Sequence, residues 1–145
     1  MMRTADIDTP ALLVDLDAME ANLLRVADYT QQHGLRLRPH TKTHKSPRIG
    51  RRQLELGAAG LTVAKVGEAE AMLEAAPPDI LVAYPVIGVA KLQRLMAVAR
   101  RAHVTVSLDS LFAAGQLSEA AQAAGVKCRT RMRHAPLSSG RIKLL

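Results

Sequence analysis

The residues able to do chemistry crowd into one run of this 145-residue chain, Arg38-Pro39-His40-Thr41-Lys42-Thr43-His44-Lys45. Amines, imidazoles and a guanidinium so close together can attack a carbonyl carbon, move protons and neutralise an anion. An amine attacks only when it has shed its proton, and a free lysine is mostly protonated near neutral pH. Arg36, Arg38 and Lys45 disfavour one more positive charge beside them, which favours an uncharged Lys42. By chemistry alone Lys45 competes with Lys42 as the reacting amine. His40 could orient a bound group, move protons, or serve as a structural histidine. Arg38 could neutralise a carboxylate, or stand solvated.

The flanking residues say what must hold this run. Leu35-Arg36-Leu37 reads as the start of a strand, and Ser46-Pro47 reads as a serine cap with proline in the first turn of a helix. Along a strand over 35–43, side chains alternate between two faces. Leu35, Leu37, Pro39 and Thr41 share one face; Arg36, Arg38, His40 and Lys42 share the other. An apolar back and a basic front ending at a strand-to-helix junction fit a barrel strand lining a polar cavity. An edge strand with solvated basic residues fits the pattern as well.

The rest of the chain repeats that unit. Residues 11–15 read as a short apolar strand. Asp17 and Glu20 read as a capping box opening a helix that runs to about Gln32, with Leu23, Val26, Ala27 and Thr30 on one side and His33-Gly34 at its end. Apolar strands start near Leu35, Leu61, Ile80 and Val104, followed by helices over about 47–56, 66–75, 89–101 and 111–124. In the third of these, Leu92, Leu95, Met96 and Ala99 keep helical spacing. Alternation of this kind predicts parallel βαβ units. The pattern alone allows the front half of a β/α barrel or a doubly wound sheet. A complete barrel takes about 250 residues, more than this chain holds.

Bulk properties exclude several classes of function. The net charge of +7 invites a nucleic-acid partner, but the charge is unevenly placed. Residues 1–125 carry 14 Lys+Arg against 13 Asp+Glu, whereas residues 126–145 carry six Lys+Arg and no acid. Aromatics make up 2% of the chain, too few for a base-stacking platform. Cys128 is the single cysteine, so no internal disulfide forms and a reducing, cytoplasmic location is expected. No apolar leader is visible at the N-terminus, and no run of about 18 apolar residues offers a membrane span.

The run 39–45 resembles the Pro-His-x-Lys-x-His-Lys motif of the D-threonine aldolase and D-serine dehydratase group. That group has the alanine-racemase-type barrel of the fold type III pyridoxal phosphate enzymes. Residues 8–16, Asp8-Thr9-Pro10-Ala11-Leu12-Leu13-Val14-Asp15-Leu16, resemble its N-terminal strand. Residues 60–70, Gly60-Leu61-Thr62-Val63-Ala64-Lys65-Val66-Gly67-Glu68-Ala69-Glu70, resemble its second strand and following helix. The likeness covers roughly residues 6–125.

This resemblance implies an α/β fold, a partial (β/α)8 barrel with parallel strands and about the first four βα units. It implies pyridoxal 5′-phosphate held by Lys42 as a Schiff base, with His40 and Arg38 as further cofactor-binding residues. The implied activity is a lyase acting on small D-amino acids, first retro-aldol cleavage of a D-β-hydroxy amino acid, then D-serine dehydration. A non-catalytic pyridoxal phosphate carrier or an inactive fragment are the other readings. A homodimer is a possible assembly. The group's divalent metal and its phosphate grip come from later barrel strands and C-terminal residues not found in this sequence. Lys65, Tyr84 and Asp109 stand at strand ends near the cavity mouth, where surface, turn or cap roles are the favoured reading. After Gly125-Val126 the repeat calls for a fifth apolar strand. The sequence reads Lys127-Cys128-Arg129-Thr130-Arg131-Met132 instead, so 126–145 is expected to be an aberrant or disordered basic tail. A frameshift or truncated gene would account for it.

Overall fold

The computed structural model describes residues 3–132. Four parallel strands form one sheet in the order β1 (Leu61–Val63), β2 (Asp79–Val82), β3 (His103–Leu108) and β4 (Cys128–Met132). Helices α1 (Leu16–Gln32) and α2 (Pro47–Glu55) precede β1. Helices α3 (Val66–Met72), α4 (Val89–Ala99) and α5 (Leu111–Ala124) connect the strands.

Strand order follows chain order, and α3 packs on α4 and α4 on α5. A sheet wound in one direction, with its helices side by side on one face, is barrel geometry; a doubly wound sheet would reverse its order. The core follows from alternation. Leu61, Val63, Ile80, Val82, Val104 and Val106 point toward the helices and are buried. They meet Ala69 and Met72 of α3, Leu92, Leu95 and Val98 of α4, and Ala113 and Leu117 of α5. The intervening residues face the inside of the partial barrel.

Local signals set the boundaries. Ser46 caps α2 by accepting from Ile49 N–H, and Pro47 opens it, as its sequence dictates. Gly34 at φ +62° ends α1 in a Schellman turn, with Leu35 N–H on the Thr30 carbonyl and Gly34 N–H on the Gln31 carbonyl. The α1 cap is Asp15, not Asp17: its carboxylate accepts from Ala18 N–H at 2.9 Å. Asp17 lies in the first turn, where a negative charge suits the helix dipole. Glu20 reaches out of α1 to pair with Arg52 of α2.

Three expectations are corrected. Residues 11–15 form no strand, and Leu12 is 94% exposed. A strand needs a neighbour, and among the described residues none lies beside this stretch. For the same reason α1 buries no residue, and Val26 on its apolar side is exposed. The strand over 35–43 shrinks to one parallel bridge, His40 to Thr62. Conversely, the strand after Val126 is present. Cys128–Met132 pairs with β3 from Val104↔Cys128 to Leu108↔Met132, although Arg129, Thr130, Arg131 and Met132 are exposed. Main-chain pairing does not require apolar side chains, which is why composition hid it. The remainder of the predicted tail, 133–145, lies outside the described residues.

Gly60 is the tightest point of the sheet. A Cβ there would sit 2.4 Å from the Asp79 carbonyl oxygen. Gly60→Ala should therefore lower stability in urea denaturation by about 1–3 kcal/mol or more. Gly115→Ala, in α5 with nothing within 4 Å, should be neutral or stabilise by up to about 1 kcal/mol.

Candidate functional site

The site is built on the edge of the sheet beside β1. Three main-chain hydrogen bonds attach the segment 37–41 there: Ala59 N–H to the Leu37 carbonyl, Thr62 N–H to the Pro39 carbonyl, and Thr41 N–H to the Thr62 carbonyl, each 2.8 Å. Thr41 turns toward the helices and is fully buried, its hydroxyl donating to the Thr62 carbonyl. A turn over 41–44 then leads into α2, with Lys45 in the left-handed region at φ +49°.

Register defines the inner face. His40, Thr62, Leu81, Thr105 and Arg129 form a continuous row across five segments. One step toward the strand C-termini, Ser107 pairs with Arg131, and Lys42 follows His40 on its turn. One step the other way, Arg38 forms an ion pair with Asp79. Arg38 and His40 thus come to one side at successive levels, and Lys42 follows on the turn over 41–44.

Their surroundings differ. Lys42 is exposed, and among the described residues no carboxylate pairs with its amine. His40 is half-buried, and its Nδ1 accepts from the Lys42 backbone N–H at 3.3 Å. That bond leaves the ring proton on Nε2 when the imidazole is neutral. Burial first, and then the Lys42 charge, hold the His40 imidazole below its ordinary value, against the opposing pull of Glu68. The Arg38 and Asp79 side chains are 24% and 14% exposed, and the Arg129 Nη1 lies 4.0 Å from the second Asp79 oxygen. Lys45 Nζ lies 4.0 Å from a Glu68 carboxylate oxygen. Glu68 in turn accepts from Ala64 N–H at 2.8 Å, tying α3 to the end of β1.

The cations expected to crowd Lys42 are therefore largely compensated, Arg38 by Asp79 and Lys45 by Glu68. Of the remaining predicted positions, Lys65 precedes α3 without capping it, and Tyr84 and Asp109 are exposed after β2 and β3. His44 turns inward: Ser46 N–H donates to its Nδ1 at 3.0 Å, and its Nε2 is buried, as is the Oε1 of half-buried Gln53, its polar neighbour. Two grooves, between α4 and α5 and between α5 and the β3–β4 edge, are lined by other residues. Among the described residues no group of three His, Cys, Asp or Glu could hold a metal. No helix among them is long and apolar enough to cross a membrane. Sequence reasoning missed Asp79 and Glu68. Asp79 stands between Pro77-Pro78 and the apolar run near Ile80, and Glu68 lies within residues 60–70, with nothing local to mark either.

A singly wound parallel β/α sheet with its helices packed side by side defines a partial β/α barrel. The family model described as "Alanine racemase, N-terminal domain" matches residues 14–134, and the chain belongs to that family. It is 42% identical over 123 residues to a D-threonine aldolase of Arthrobacter sp, covering 85% of this chain and 32% of that one. It is 40% identical over 128 residues to a 3-hydroxy-D-aspartate aldolase of Paracoccus denitrificans, covering 87% and 33%. Among solved structures, the D-threonine aldolase from Filomicrobium marinum superposes with a TM-score of 0.85 at 44% identity, covering 89% of this chain and 35% of that one. The D-threo-3-hydroxyaspartate dehydratase from Delftia sp. HT23 gives 0.76 at 33% identity, covering 87% and 33%. The chain spans about a third of the length of these relatives.

The family implies pyridoxal 5′-phosphate, and the residues present fit its aldehyde end. Lys42 offers an amine with no ion-pair partner among the described residues, whereas the Lys45 amine stands near Glu68.

The two half-buried histidines set a pH response. Burial is the first cause holding both His40 and His44 below their ordinary value. The unfolded chain therefore takes up protons before the folded one as pH falls. Their contribution to stability is present above about pH 6.5 and is lost as pH drops from there through the lower folded values. Thermal midpoints measured from pH 7.5 to 5 should fall, and His44→Gln should flatten the decline.

Proposed function

We propose that this chain carries the lysine-bearing part of a pyridoxal-phosphate-dependent lyase acting on small D-amino acids, most closely of the D-threonine aldolase kind. The observation that carries the reading is Lys42, on the turn just past the His40–Thr62 bridge at the C-terminal side of the sheet edge, with no carboxylate pairing its amine among the described residues. The likeness to two aldolases at 40–42% identity supports the same reaction type. Likeness to a hydroxyaspartate dehydratase keeps a dehydratase as the second reading. A pyridoxal phosphate carrier without turnover, or an inactive fragment, is the outcome if binding occurs without product.

In this reading Lys42 would hold the cofactor at its aldehyde, the carbonyl oxygen leaving as water, and its amine would take or return a proton at the substrate α-carbon. The cofactor, when bound, supplies an electron sink for charge released at that carbon. His40 holds the lysine backbone through Nδ1 and keeps an Nε2 proton available to the bound group. Arg38 commits one guanidinium donor to Asp79 and keeps the rest of its fork for a cofactor oxygen. A divalent metal would have to be supplied outside the described residues. A homodimer is the proposed assembly, since the outer edge of β4 has no strand beside it among the described residues.

Mixing the protein with pyridoxal 5′-phosphate should shift the cofactor absorbance. The shift should vanish in Lys42→Ala and persist in Lys45→Ala; the reverse would move the attachment to Lys45. Aldehyde release from D-threonine, with none from L-threonine, marks the aldolase, whereas pyruvate from D-serine marks the dehydratase. Size-exclusion chromatography should give an elution position that shifts with concentration, and a monomer peak unchanged at high concentration contradicts self-association.

A further inference from the structure

The pairing register places Arg38, Gly60 and Asp79 side by side at one level. The His40↔Thr62 bridge sets Arg38 beside Gly60, and the Leu61↔Ile80 pair sets Gly60 beside Asp79. Arg38 and Asp79 are thus two strand spacings apart, roughly 10 Å between backbones. The arginine spans that gap across a residue with no side chain, and a Cβ on Gly60 would strike the Asp79 carbonyl at 2.4 Å.

The ion pair falls where the main-chain ladder fails. Around Thr62 the parallel rung is complete, with Thr62 N–H on the Pro39 carbonyl and Thr41 N–H on the Thr62 carbonyl. The next rung would have residue 39 donate to the Gly60 carbonyl, and proline has no N–H to donate. The Leu37 carbonyl accepts instead from Ala59, one residue out of step with a regular ladder. At this level the backbone therefore holds the segment by that one out-of-step bond, with no donor from position 39.

We infer that Asp79 is a positioning residue for Lys42. By gripping Arg38 across the Gly60 notch it replaces the rung Pro39 deletes, and so fixes the register of 37–41 and the level at which the lysine emerges. Arg129 of β4 approaches the other Asp79 oxygen at 4.0 Å, so the carboxylate links the lysine-bearing edge to both β2 and β4. The link to Lys42 rests on the proposed function; the anchoring of 37–41 does not.

Hydrogen exchange on the cofactor-free protein separates the two. In Asp79→Asn the amides of Thr41 and Thr62, the donors of the surviving rung, should exchange about tenfold faster while those of β3 keep their protection. Arg38→Lys, which keeps the positive charge but loses the planar fork, should act on the same two amides. It serves as the second variant if Asp79→Asn does not fold. Combining the two changes should add little to either alone, because both remove one contact. In parallel, the cofactor absorbance shift should develop more slowly in both variants. Unchanged protection of Thr41 and Thr62, or a uniform loss that includes β3, overturns the inference. Faster exchange at those amides with an unchanged rate of the absorbance shift overturns the link to Lys42 alone. Where the unmodified protein gives no absorbance shift at all, the proposed function fails and the exchange result decides the anchoring by itself.

Discussion

Proline at position 39 removes one main-chain donor from the edge of a parallel sheet, and the geometry of the site depends on how the chain manages without it. Parallel pairing supplies one hydrogen bond per residue on each side of a strand, and an edge segment has partners on one side only. Segment 37–41 keeps three of those bonds, to Ala59 and Thr62, and a side-chain ion pair stands in the gap. Thr41, fully buried, then locks the far end by turning its hydroxyl back to the Thr62 carbonyl. The outcome is a short, held segment whose last residue leaves the sheet directly into the turn that carries Lys42.

Charge is organised around that lysine by distance and pairing. A run with so many cations reads in sequence as a repulsive cluster. In the fold, Arg38 and Lys45 are drawn toward carboxylates that come from other elements, Asp79 on β2 and Glu68 on α3. What stays near Lys42 is His40, whose imidazole burial favours as neutral. The same carboxylates do structural work, since Glu68 also accepts from Ala64 N–H where β1 hands over to α3.

The parts of the fold legible in the sequence are those where local chemistry decides. Ser46-Pro47 fixed the start of α2, His33-Gly34 the end of α1, and the apolar runs near Leu61, Ile80 and Val104 became strands because their alternate residues have helices to pack against. What could not be read depends on neighbours. Residues 11–15 have the right composition for a strand and no strand beside them; Cys128–Met132 has the wrong composition and a free β3 edge to pair with. Arg38 and His40 were legible as one face through simple alternation, and Lys42, on the turn that follows, through the motif. Asp79 was not, because its partner lies 41 positions away and only the sheet register brings them together. Family likeness added the implied cofactor and the proposed reaction type, which neither alternation nor composition contains.

The central claim is that one particular amine, that of Lys42, meets the cofactor aldehyde. Its most direct test is borohydride reduction of the protein mixed with pyridoxal 5′-phosphate, followed by proteolysis and mass spectrometry to locate the added mass. The account requires that mass on the peptide residue Lys42, with Lys45 and Lys65 unmodified. Label on Lys45, or spread evenly over exposed lysines, would contradict it.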